Sequence, residues 1–334
     1  MASSMIRVNA EPMKHDADQP SRLAVTMGDP SGVGPEVCLM LLQCTVPGAR
    51  PIIYGDWQVL ERVAKQTGLP KPAREAVYHI ASLDDPSKVE AGRISSTCGQ
   101  AAYTYLTRAI DDALAQRVDA IVTAPWNKEA LHKAGIHYPG HTEVLTERTE
   151  SSRSCMLQYS EEVTASFVTC HCGYDEVPKL LTRERLREVI DLTHNALIAV
   201  EGRPVKLVAL GLNPHAGEHG LFGIGEEETI IVPELEAARN RGIDISGPVP
   251  PDTAFIPVSR KATDGFICMY HDQGHIPLKA LAFDSAVNVT LGLPIVRTSV
   301  DHGTAFDIAW QGKANPGSIR AAAELAVKLV HQQA

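Results

Sequence analysis

The sequence predicts an α/β fold in which amphipathic helices cover a central sheet. Short apolar segments of strand length alternate with segments whose apolar residues recur at helical spacing, and this alternation is typical of α/β proteins. Hydrophobic residues make up 44% and charged residues 21% of the 334 residues, which is an ordinary composition for a chain with a sizeable core. Polar clusters directly follow several predicted strands. Because ligands gather at the carboxyl ends of strands in such folds, this coincidence indicates an enzyme.

The predicted elements alternate along the whole chain. In the first half they are strands 23–27, 51–54 and 118–122, helices 35–42 and 100–116, and a helix through Leu60 and Val63. In the second half they are strands 165–169, 205–212, 265–269 and 286–290 and helices 183–200, 226–241 and 316–331. Ala102, Leu106 and Ile110 have the spacing of one helical face. The last helix begins near Pro316, and proline is favoured in a first turn.

The charge and the cysteine content narrow the class of protein. The net charge is −9 and no block of Lys or Arg stands out, so nucleic acid is not an expected partner. No apolar run approaches the roughly 20 residues of a membrane span. The polar residues 1–20 are expected to form a disordered tail rather than a targeting signal. The seven cysteines are odd in number and lack the spacing of a disulfide framework, so we expect a reducing, cytoplasmic location.

Three histidines, His171, His215 and His271, each directly follow a predicted strand. Their separation is far too long for a zinc finger, but it suits a site that is assembled in space from strand ends. Three imidazoles would leave an open coordination position on a metal for a substrate oxygen. The alternative, in which each is a hydrogen-bonded structural histidine, stays open at this point.

A glycine-rich turn joins the first predicted strand to the first helix and contains Gly28, Asp29, Gly32 and Gly34. Free N–H groups at a helix N-terminus bind anions, so the turn is a candidate site for a cofactor phosphate. Its spacing is not that of the G-x-G-x-x-G fingerprint. A plain strand-to-helix turn explains these glycines equally well.

Two further groups of residues offer hydrogen-bond donors to a substrate anion. His141 and Thr142 are donors that a phosphate or carboxylate needs, although Thr142 would serve equally well as a helix cap. Asn288 lies inside an apolar strand and Arg297 ends an apolar run, and such buried polar groups need partners. Together with Lys279 they predict an anion clamp, and a structural salt bridge is the alternative for Arg297.

These motifs together resemble the 4-hydroxythreonine-4-phosphate dehydrogenase family. The matching segments are 28–36, 123–125 with Asn127 and Lys128, 140–143, 211–218, 251–253, 270–274, 288–294 and 297–304, so the resemblance covers nearly the whole chain. It implies an isocitrate-dehydrogenase-like α/β/α fold in two lobes, with the active site between the lobes at a dimer interface. Residues 21–138 plus 296–334 are the expected cofactor-side lobe, and residues 139–295 are the expected substrate, metal and dimerisation lobe.

The resemblance also implies roles for individual residues. The metal ligands correspond to His171, His215 and His271, with one histidine supplied by the second subunit of a homodimer. The substrate-binding positions correspond to His141, Thr142, Lys279, Asn288 and Arg297. The cofactor-binding positions correspond to Gly28, Asp29, Gly32, Gly34, His302, Gly303 and Asp307. NAD or NADP and one divalent ion per site are implied, with zinc favoured and cobalt, manganese or magnesium open.

Residues 275–279 bear on the substrate. This chain has His275-Ile276-Pro277, where the enzymes of vitamin B6 synthesis are expected to have Leu-Pro-Val. The His-Ile-Pro form resembles the branch that acts on the 4-phosphates of D-threonate and D-erythronate. Oxidation of the 3-hydroxyl of such a small phosphorylated hydroxy acid, followed by decarboxylation, gives dihydroxyacetone phosphate. Lys279 is the first candidate for the general base and Asp252 is the second.

Other functions stay open at the level of the sequence. A 4-phosphooxy-L-threonine dehydrogenase of pyridoxal phosphate biosynthesis would share every predicted site residue and differ only around His275. An aromatic cis-dihydrodiol dehydrogenase is disfavoured by segment 140–143, because a substrate without a phosphate needs no such clamp. A metal hydrolase would not need the cofactor loop around His302. A non-catalytic module would bind the phosphorylated ligand without reducing a cofactor.

Trp310 stands in the predicted cofactor loop around His302, at a position where the family more often has glycine.

Overall fold

The computed structural model describes residues 19–282 and 285–331, so most of the predicted tail 1–20 lies outside the described residues. The strands are β1 (Ser21–Thr26), β2 (Ala49–Gly55), β3 (Val77–His79), β4 (Ala120–Thr123), β5 (Cys155–Tyr159), β6 (Ala165–Phe167), β7 (Leu207–Leu210), β8 (Ile245–Val249), β9 (Gly265–Cys268), β10 (Val287–Leu291) and β11 (Val296–Val300). Within the described ranges, all of them belong to one sheet with the order β3-β2-β1-β4-β11-β10-β5-β6-β9-β7-β8.

Helices connect these strands along the chain. They are α1 (Gly34–Leu41), α2 (Trp57–Thr67), α3 (Ser96–Leu114), α4 (Lys128–Lys133), α5 (His141–Arg148), α6 (Val177–Leu180), α7 (Arg183–Glu201), α8 (Val232–Asn240), α9 (Pro251–Ala254), α10 (Pro257–Lys261), α11 (His271–Ala282) and α12 (Gly317–His331). Short 3₁₀ segments lie at Arg74–Ala76, Pro86–Lys88 and Pro214–Gly217, and a π-helical segment, Glu227–Ile231, leads into α8. No helix in the described ranges combines the length and the apolar character needed to cross a bilayer.

Local sequence signals set several helix ends. Asp56 precedes α2 and its carboxylate accepts hydrogen bonds from the N–H groups of Gln58 and Val59, while Gly68 ends the helix with a φ of 76°. These are the ordinary means of satisfying the free N–H and C=O groups at helix termini. Thr182 caps α7 in the same way, and Gly202 ends it in the left-handed conformation.

The sheet consists of two parallel blocks that run in opposite directions. Strands β1 to β4 and β11 form the first block, and β6 to β9 form the second. Antiparallel strands β10 and β5 join the two blocks. The two predicted lobes therefore correspond to the two halves of one continuous sheet. The strands of 21–138 with β11 form one half, and the strands of 139–295 form the other. The division into two lobes stays a prediction.

Helices cover the two faces of this sheet unequally. On one face, α1, α7, α8 and α12 bury the largest apolar cluster. On the other face, α3 packs against β1, β2 and β4, and α11 packs against β6 and β9. The interval between α3 and α11 lies over β11, β10 and β5. The α/β prediction is confirmed, and the fold leaves the middle of one sheet face available for a site.

Candidate active site

A cleft of about 490 Å³ lies beside α11 over the middle strands of the sheet. Four of the predicted site residues line it: His171, His271, Lys279 and Asn288. The remaining lining residues are Met156, Gln158, Asp272, His275, Ile276 and Asp301. Segments that are more than a hundred residues apart in the chain therefore meet in one place, as the strand-end clusters predicted.

The floor of the cleft is polar because of the strand register. Asn288 in β10 pairs with Gln158 in β5. Arg297 in β11 donates a 3.0 Å hydrogen bond to Thr290, which lies two residues beyond Asn288 in β10. Residues two apart in a strand share a face, so these four side chains lie on the same face of the sheet. We call these four residues the cleft floor; Gln158 and Asn288 line the cleft, whereas Thr290 and Arg297 continue the same sheet face beyond its lining. Arg297 lies inside a strand, whereas the sequence placed it at the end of one.

Several polar atoms of the cleft floor are buried without a hydrogen-bond partner among the described residues. They are the Oε1 atom of Gln158, the Oδ1 atom of Asn288 and the Nε atom of Arg297. A buried polar group without a partner costs about 1–3 kcal/mol. A concentration of such atoms along one cleft is therefore a sign that a ligand supplies the missing partners.

Arg297 is the only predicted substrate residue that is fully buried, with 2% of its surface exposed. Its guanidinium donates to the hydroxyls of Thr290 at 3.0 Å and Thr123 at 2.7 Å. No carboxylate of the described residues forms an ion pair with it. Burial lowers the pKa of Arg297 to about 9, and the negative charge of Glu143 opposes this shift. The structural salt bridge considered above is therefore not formed, and the geometry suits an anionic ligand.

His141 and Thr142 lie in the first turn of α5; His141 is close enough to Arg297 to be affected by its charge, whereas Thr142 lines a separate pocket. Gly140 precedes this helix and no side chain caps it, so the capping alternative for Thr142 is wrong. The ring of His141 stacks on Trp126 at a centroid distance of 3.8 Å. Burial, and then the positive charges of Arg297 and Lys128, hold the pKa of His141 well below its ordinary value. His141 is therefore a neutral hydrogen-bonding group beside a cation.

Two of the three predicted metal ligands lie together. The rings of His171 and His271 are 5.6 Å apart, and Nδ1 of His271 is 2.7 Å from the carboxylate of Asp272. Burial and the neighbouring His271 lower the pKa of His171, which favours the neutral imidazole that metals bind. His171 also has a left-handed φ of 35°, and such backbone strain occurs most often at functional sites.

His215 lies apart from these two histidines. It is exposed, has a left-handed φ of 54° and belongs to the 3₁₀ segment Pro214–Gly217. Buried Glu227 holds this segment in place by accepting hydrogen bonds from the backbone and side chain of Asn213. Across the described ranges, no group of three His, Cys, Asp or Glu side chains is close enough to hold a metal ion. The donor set of one chain therefore fits a metal only in part.

Lys279 is held in the cleft by Asp301. Its ammonium pairs with the Asp301 carboxylate and donates to the Asp301 carbonyl at 3.1 Å. The other carboxylate oxygen of Asp301 accepts from Nε2 of Gln158 at 3.1 Å. The lysine side chain is 35% exposed, so it is an ion-paired group at the cleft mouth.

Asp252, the second candidate for the base, is exposed on α9 and is not among the residues that line the cleft. Sequence reasoning missed Gln158 and Asp301. A signal for Gln158 was available, because it is a polar residue between Leu157 and Tyr159 in a segment of strand composition. Asp301 belongs to the polar cluster after the last strand, but its contact with Lys279 depends on the fold.

Residues 28–34, which we call the glycine loop, are buried throughout. A Cβ atom on Gly34 would lie 2.0 Å from the carbonyl oxygen of Met27, and one on Gly28, whose φ is +67°, would lie 2.2 Å from that of Pro125. Asp29 is also buried and accepts hydrogen bonds from the N–H and hydroxyl of Ser31, and burial raises its pKa. Packing therefore explains the glycines at 28 and 34, as the plain-turn alternative proposed, whereas one buried carboxylate oxygen of Asp29 has no partner among the described residues.

The second predicted cofactor loop lies on top of the first. The N–H of Val33 donates to the carbonyl of Thr304 at 2.9 Å, and a Cβ atom on Gly32 would lie 3.0 Å from Thr304. Gly303 and Asp307 are exposed and His302 is half-buried. These three residues, unlike the glycine loop, are placed where a ligand can reach them.

The contacts of Trp310 explain why this chain has tryptophan at a position where the family more often has glycine. Its φ is 61°, a conformation that favours glycine. Its ring is buried, and its Nε1 donates to the carbonyl of Pro30 at 3.2 Å, while the guanidinium of Arg62 lies 5.0 Å from the ring centroid. The packing and hydrogen bond of the tryptophan ring at the base of the glycine loop therefore offset the unfavourable backbone conformation.

Comparisons with known proteins agree with this architecture. The family model described as "Pyridoxal phosphate biosynthetic protein PdxA" matches residues 48–326. A D-threonate 4-phosphate dehydrogenase of Pectobacterium atrosepticum is 42% identical over 92% of this chain and 98% of its own. A 4-hydroxythreonine-4-phosphate dehydrogenase of Desulforapulum autotrophicum is 40% identical over 91% of this chain and 94% of its own.

A solved structure gives the same result for the fold. The 4-hydroxythreonine-4-phosphate dehydrogenase of Klebsiella pneumoniae superposes with a TM-score of 0.79 at 38% identity, covering 93% of this chain and 99% of its own. The family model, the two relatives and this structure all extend across both predicted lobes. The chain therefore belongs to the PdxA family and has the α/β fold of its dehydrogenases.

Proposed function

We propose that this chain is an NAD(P)-dependent dehydrogenase that oxidises the 3-hydroxyl of 4-phospho-D-threonate or 4-phospho-D-erythronate and releases CO2. The observation that carries the proposal is the cleft itself. It joins His171, His271, Lys279 and Asn288 to a sheet face on which Arg297 is buried without an ion pair. The D-threonate branch is favoured by His275 in the cleft lining and by the name of the Pectobacterium relative.

The positions of the cationic side chains indicate how the substrate is oriented in the cleft. Arg297, with the donors His141 and Thr142, suits the phosphate, because a planar guanidinium binds such an anion through two parallel hydrogen bonds. The Lys279 ammonium, at the other end of the cleft floor, suits the carboxylate or the reacting hydroxyl. Asn288 lies between them on β10 and positions the carbon chain.

A divalent ion, with zinc favoured, would be held by His171 and His271 together with His215 of a second copy, and would stabilise negative charge on the substrate oxygen. A nicotinamide cofactor would supply the hydride acceptor for C3. Lys279 takes the proton of the 3-hydroxyl as the neutral amine, and Asp301, with which it is paired, orients it and stabilises the ammonium that forms. The 3-keto acid then loses CO2, and protonation at C2 gives dihydroxyacetone phosphate.

The homodimer is part of this proposal. Three large apolar side chains are exposed in the histidine-bearing segments: Leu221 at 69%, Ile224 at 91% and Ile276 at 67%. Leu221 and Ile224 follow His215 in the chain, and Ile276 lines the cleft. Clustered exposed apolar groups mark interaction surfaces. A second copy that covers them would bring its own His215 to the cleft.

A mixing experiment tests this shared site. His215→Ala and His271→Ala are each expected to be inactive. Dimers formed from one subunit of each kind contain one site with no substitution, so a randomly mixed sample is expected to recover about a quarter of the wild-type activity. Differently tagged subunits verify that mixed dimers form. Mixed dimers that stay inactive would show that both histidines act within one subunit.

The reaction is tested by NAD(P) reduction with dialysed protein to which metal is returned. We expect 4-phospho-D-threonate or 4-phospho-D-erythronate to be preferred over 4-phosphooxy-L-threonine, and a chelator to abolish the activity. Preference for 4-phosphooxy-L-threonine, the activity in the name of the Desulforapulum relative, would place the protein in the other branch. Turnover without formation of reduced cofactor would favour a hydrolase.

A further inference from the structure

We propose that Gln158 selects the substrate by accepting a hydrogen bond from the hydroxyl on C2, next to the carboxylate. This inference rests on the proposed function and deepens it. Gln158 is 1% exposed and lies in β5, paired with Asn288 of β10 on one side and with Ala165 of β6 on the other. Its side chain therefore stands in the middle of the cleft floor.

The neighbours of Gln158 fix the orientation of its amide. Nε2 lies 3.1 Å from a carboxylate oxygen of Asp301, and an ionised carboxylate only accepts hydrogen bonds. Nε2 also lies 3.4 Å from Nε2 of His275. The Nδ1 atom of His275 lies 3.1 Å from the carbonyl oxygen of His271, so Nδ1 carries the hydrogen and Nε2 accepts. Both amide hydrogens of Gln158 are thus used, and the amide cannot be turned around without placing oxygen against oxygen.

Only the carbonyl oxygen of Gln158 remains for a ligand. Oε1 is buried and has no partner among the described residues, and the same holds for Oδ1 of Asn288 on the paired position. Side chains at paired positions of neighbouring strands are about 5 Å apart, so these two acceptors face one stretch of the substrate. A phosphate or carboxylate has no hydrogen to offer them. This part of the cleft therefore fits the hydroxyl-bearing carbons of the substrate.

The site favours a hydroxyl over an ammonium at C2. A hydroxyl has one hydrogen to donate, and Oε1 of Gln158 accepts it. An ammonium would bring a positive charge and three N–H groups close to Lys279. Both carboxylate oxygens of the nearby Asp301 are already engaged, by Gln158 and Lys279, so the added charge would lack a partner of its own, and burial of such a charge is costly. The C3 hydroxyl loses its proton in the oxidation, whereas the C2 hydroxyl keeps its proton, so only the C2 contact persists through the reaction.

The test compares substrates with and without this hydroxyl. Wild-type enzyme and Gln158→Met are each assayed with 4-phospho-D-threonate and with its 2-deoxy analogue, 3-hydroxy-4-phosphobutanoate. We expect the wild type to prefer the hydroxylated substrate by at least about 100-fold in kcat/KM, because a site built to bond a hydroxyl rejects analogues without it by up to about 10⁴- to 10⁵-fold. Gln158→Met is expected to lose most of that preference. Calorimetric binding without cofactor is expected to show the same loss.

A matched control separates specificity from structure. Gln273 is a second buried glutamine, but the protein uses both ends of its amide, at the N–H of Met269 and the carbonyl of Gly211. Gln273→Met is expected to lower the melting temperature without changing the ratio of the two substrates. A Gln158→Met enzyme that keeps the full wild-type preference would overturn the inference alone. A wild type that oxidises none of the 4-phosphates would overturn the proposed function instead.

Discussion

The glycine loop and the cleft floor look alike in the sequence. Packing accounts for the glycines of the loop, whereas three residues of the cleft floor keep buried polar atoms without hydrogen-bond partners. Both combine polar or small residues at the edge of buried strands. In the glycine loop, approaching backbone atoms explain the glycines at 28 and 34, and a single polar atom, one carboxylate oxygen of Asp29, is buried without a partner among the described residues. In the cleft floor, Gln158, Asn288 and Arg297 each keep a buried polar atom without a partner. A motif at a strand end is therefore evidence for a ligand only where the folded chain leaves its polar groups unsatisfied.

The largest effect is expected from Lys279→Ala in the cleft. Loss of the group that takes the 3-hydroxyl proton should lower kcat by about three to four orders of magnitude, the upper range for general base catalysis. Substrate binding, measured by calorimetry, should weaken much less. Asp301→Asn keeps the shape of the partner but weakens its charge, and a smaller loss of kcat is expected. Near-normal turnover of Lys279→Ala with normal binding would remove Lys279 from the mechanism.

Arg297→Met should separate function from stability. Loss of the buried charge that faces the phosphate is expected to lower kcat/KM by about 10²- to 10³-fold. The free energy of unfolding should not fall, because the change removes a buried charge that has no ion-pair partner in the chain. A clear loss of stability together with retained activity would show that Arg297 is a structural residue.

Arg187→Met is the matched control for Arg297→Met. Arg187 forms two 2.9 Å hydrogen bonds with Glu234, whose side chain is fully buried. Removal of this partner leaves a buried carboxylate with less compensation, so stability is expected to fall by about 1–3 kcal/mol while kcat/KM stays unchanged. Urea unfolding and steady-state kinetics on the two arginine variants should therefore give opposite patterns.

A pair of glycine variants tests the packing explanation of the glycine loop. In Gly34→Ala the new Cβ atom would meet the Met27 carbonyl oxygen at 2.0 Å, so the backbone must shift, at a cost of about 3 kcal/mol. A Cβ atom at Gly303 meets nothing within 4 Å. Gly303→Ala should therefore keep its stability within about 0.5 kcal/mol and change KM for the cofactor. If Gly34→Ala is as stable as the wild type but binds the cofactor more weakly, the glycine loop must be assigned to the cofactor site.

The sequence was sufficient for the framework of the site. The alternation of strands and helices predicted the α/β fold. The positions after strands predicted that His171 and His271 would meet, and the anion-clamp argument selected Lys279 and Asn288; all four line the cleft. Such predictions succeed because the carboxyl end of a strand is a local feature of the chain. Arg297, the third member of the predicted anion clamp, lies on the same sheet face as Asn288.

Other parts of the site depend on contacts that no local pattern encodes. Strand β5 was not predicted, and without it Gln158 has no register with Asn288. The contact between Gln158 and Asp301 spans 143 residues of the chain. His215 matched the family pattern but is exposed and apart from the other two histidines. Its role depends on a second copy of the chain, which a sequence read as one molecule does not contain.

The smallest predicted effect concerns His141, where the buried charge of the cleft reaches a neighbouring residue. Because burial, Arg297 and Lys128 lower the folded-state pKa of His141, the unfolded chain binds a proton at a higher pH than the folded chain. The contribution of neutral His141 to stability is complete above the unfolded-state pKa of about 6.5. It is lost progressively as the pH falls from that value towards the lower folded-state pKa. His141→Phe keeps a ring against Trp126 and should remove up to about 1.4 kcal/mol per pH unit from the acid-side slope of stability. In Arg297→Met the slope should become shallower, since one of the two opposing positive charges is gone. Slopes are measured by urea unfolding between pH 7 and pH 5. An Arg297→Met slope equal to that of the wild type, with a shallower slope in His141→Phe, would show that Arg297 does not act on His141.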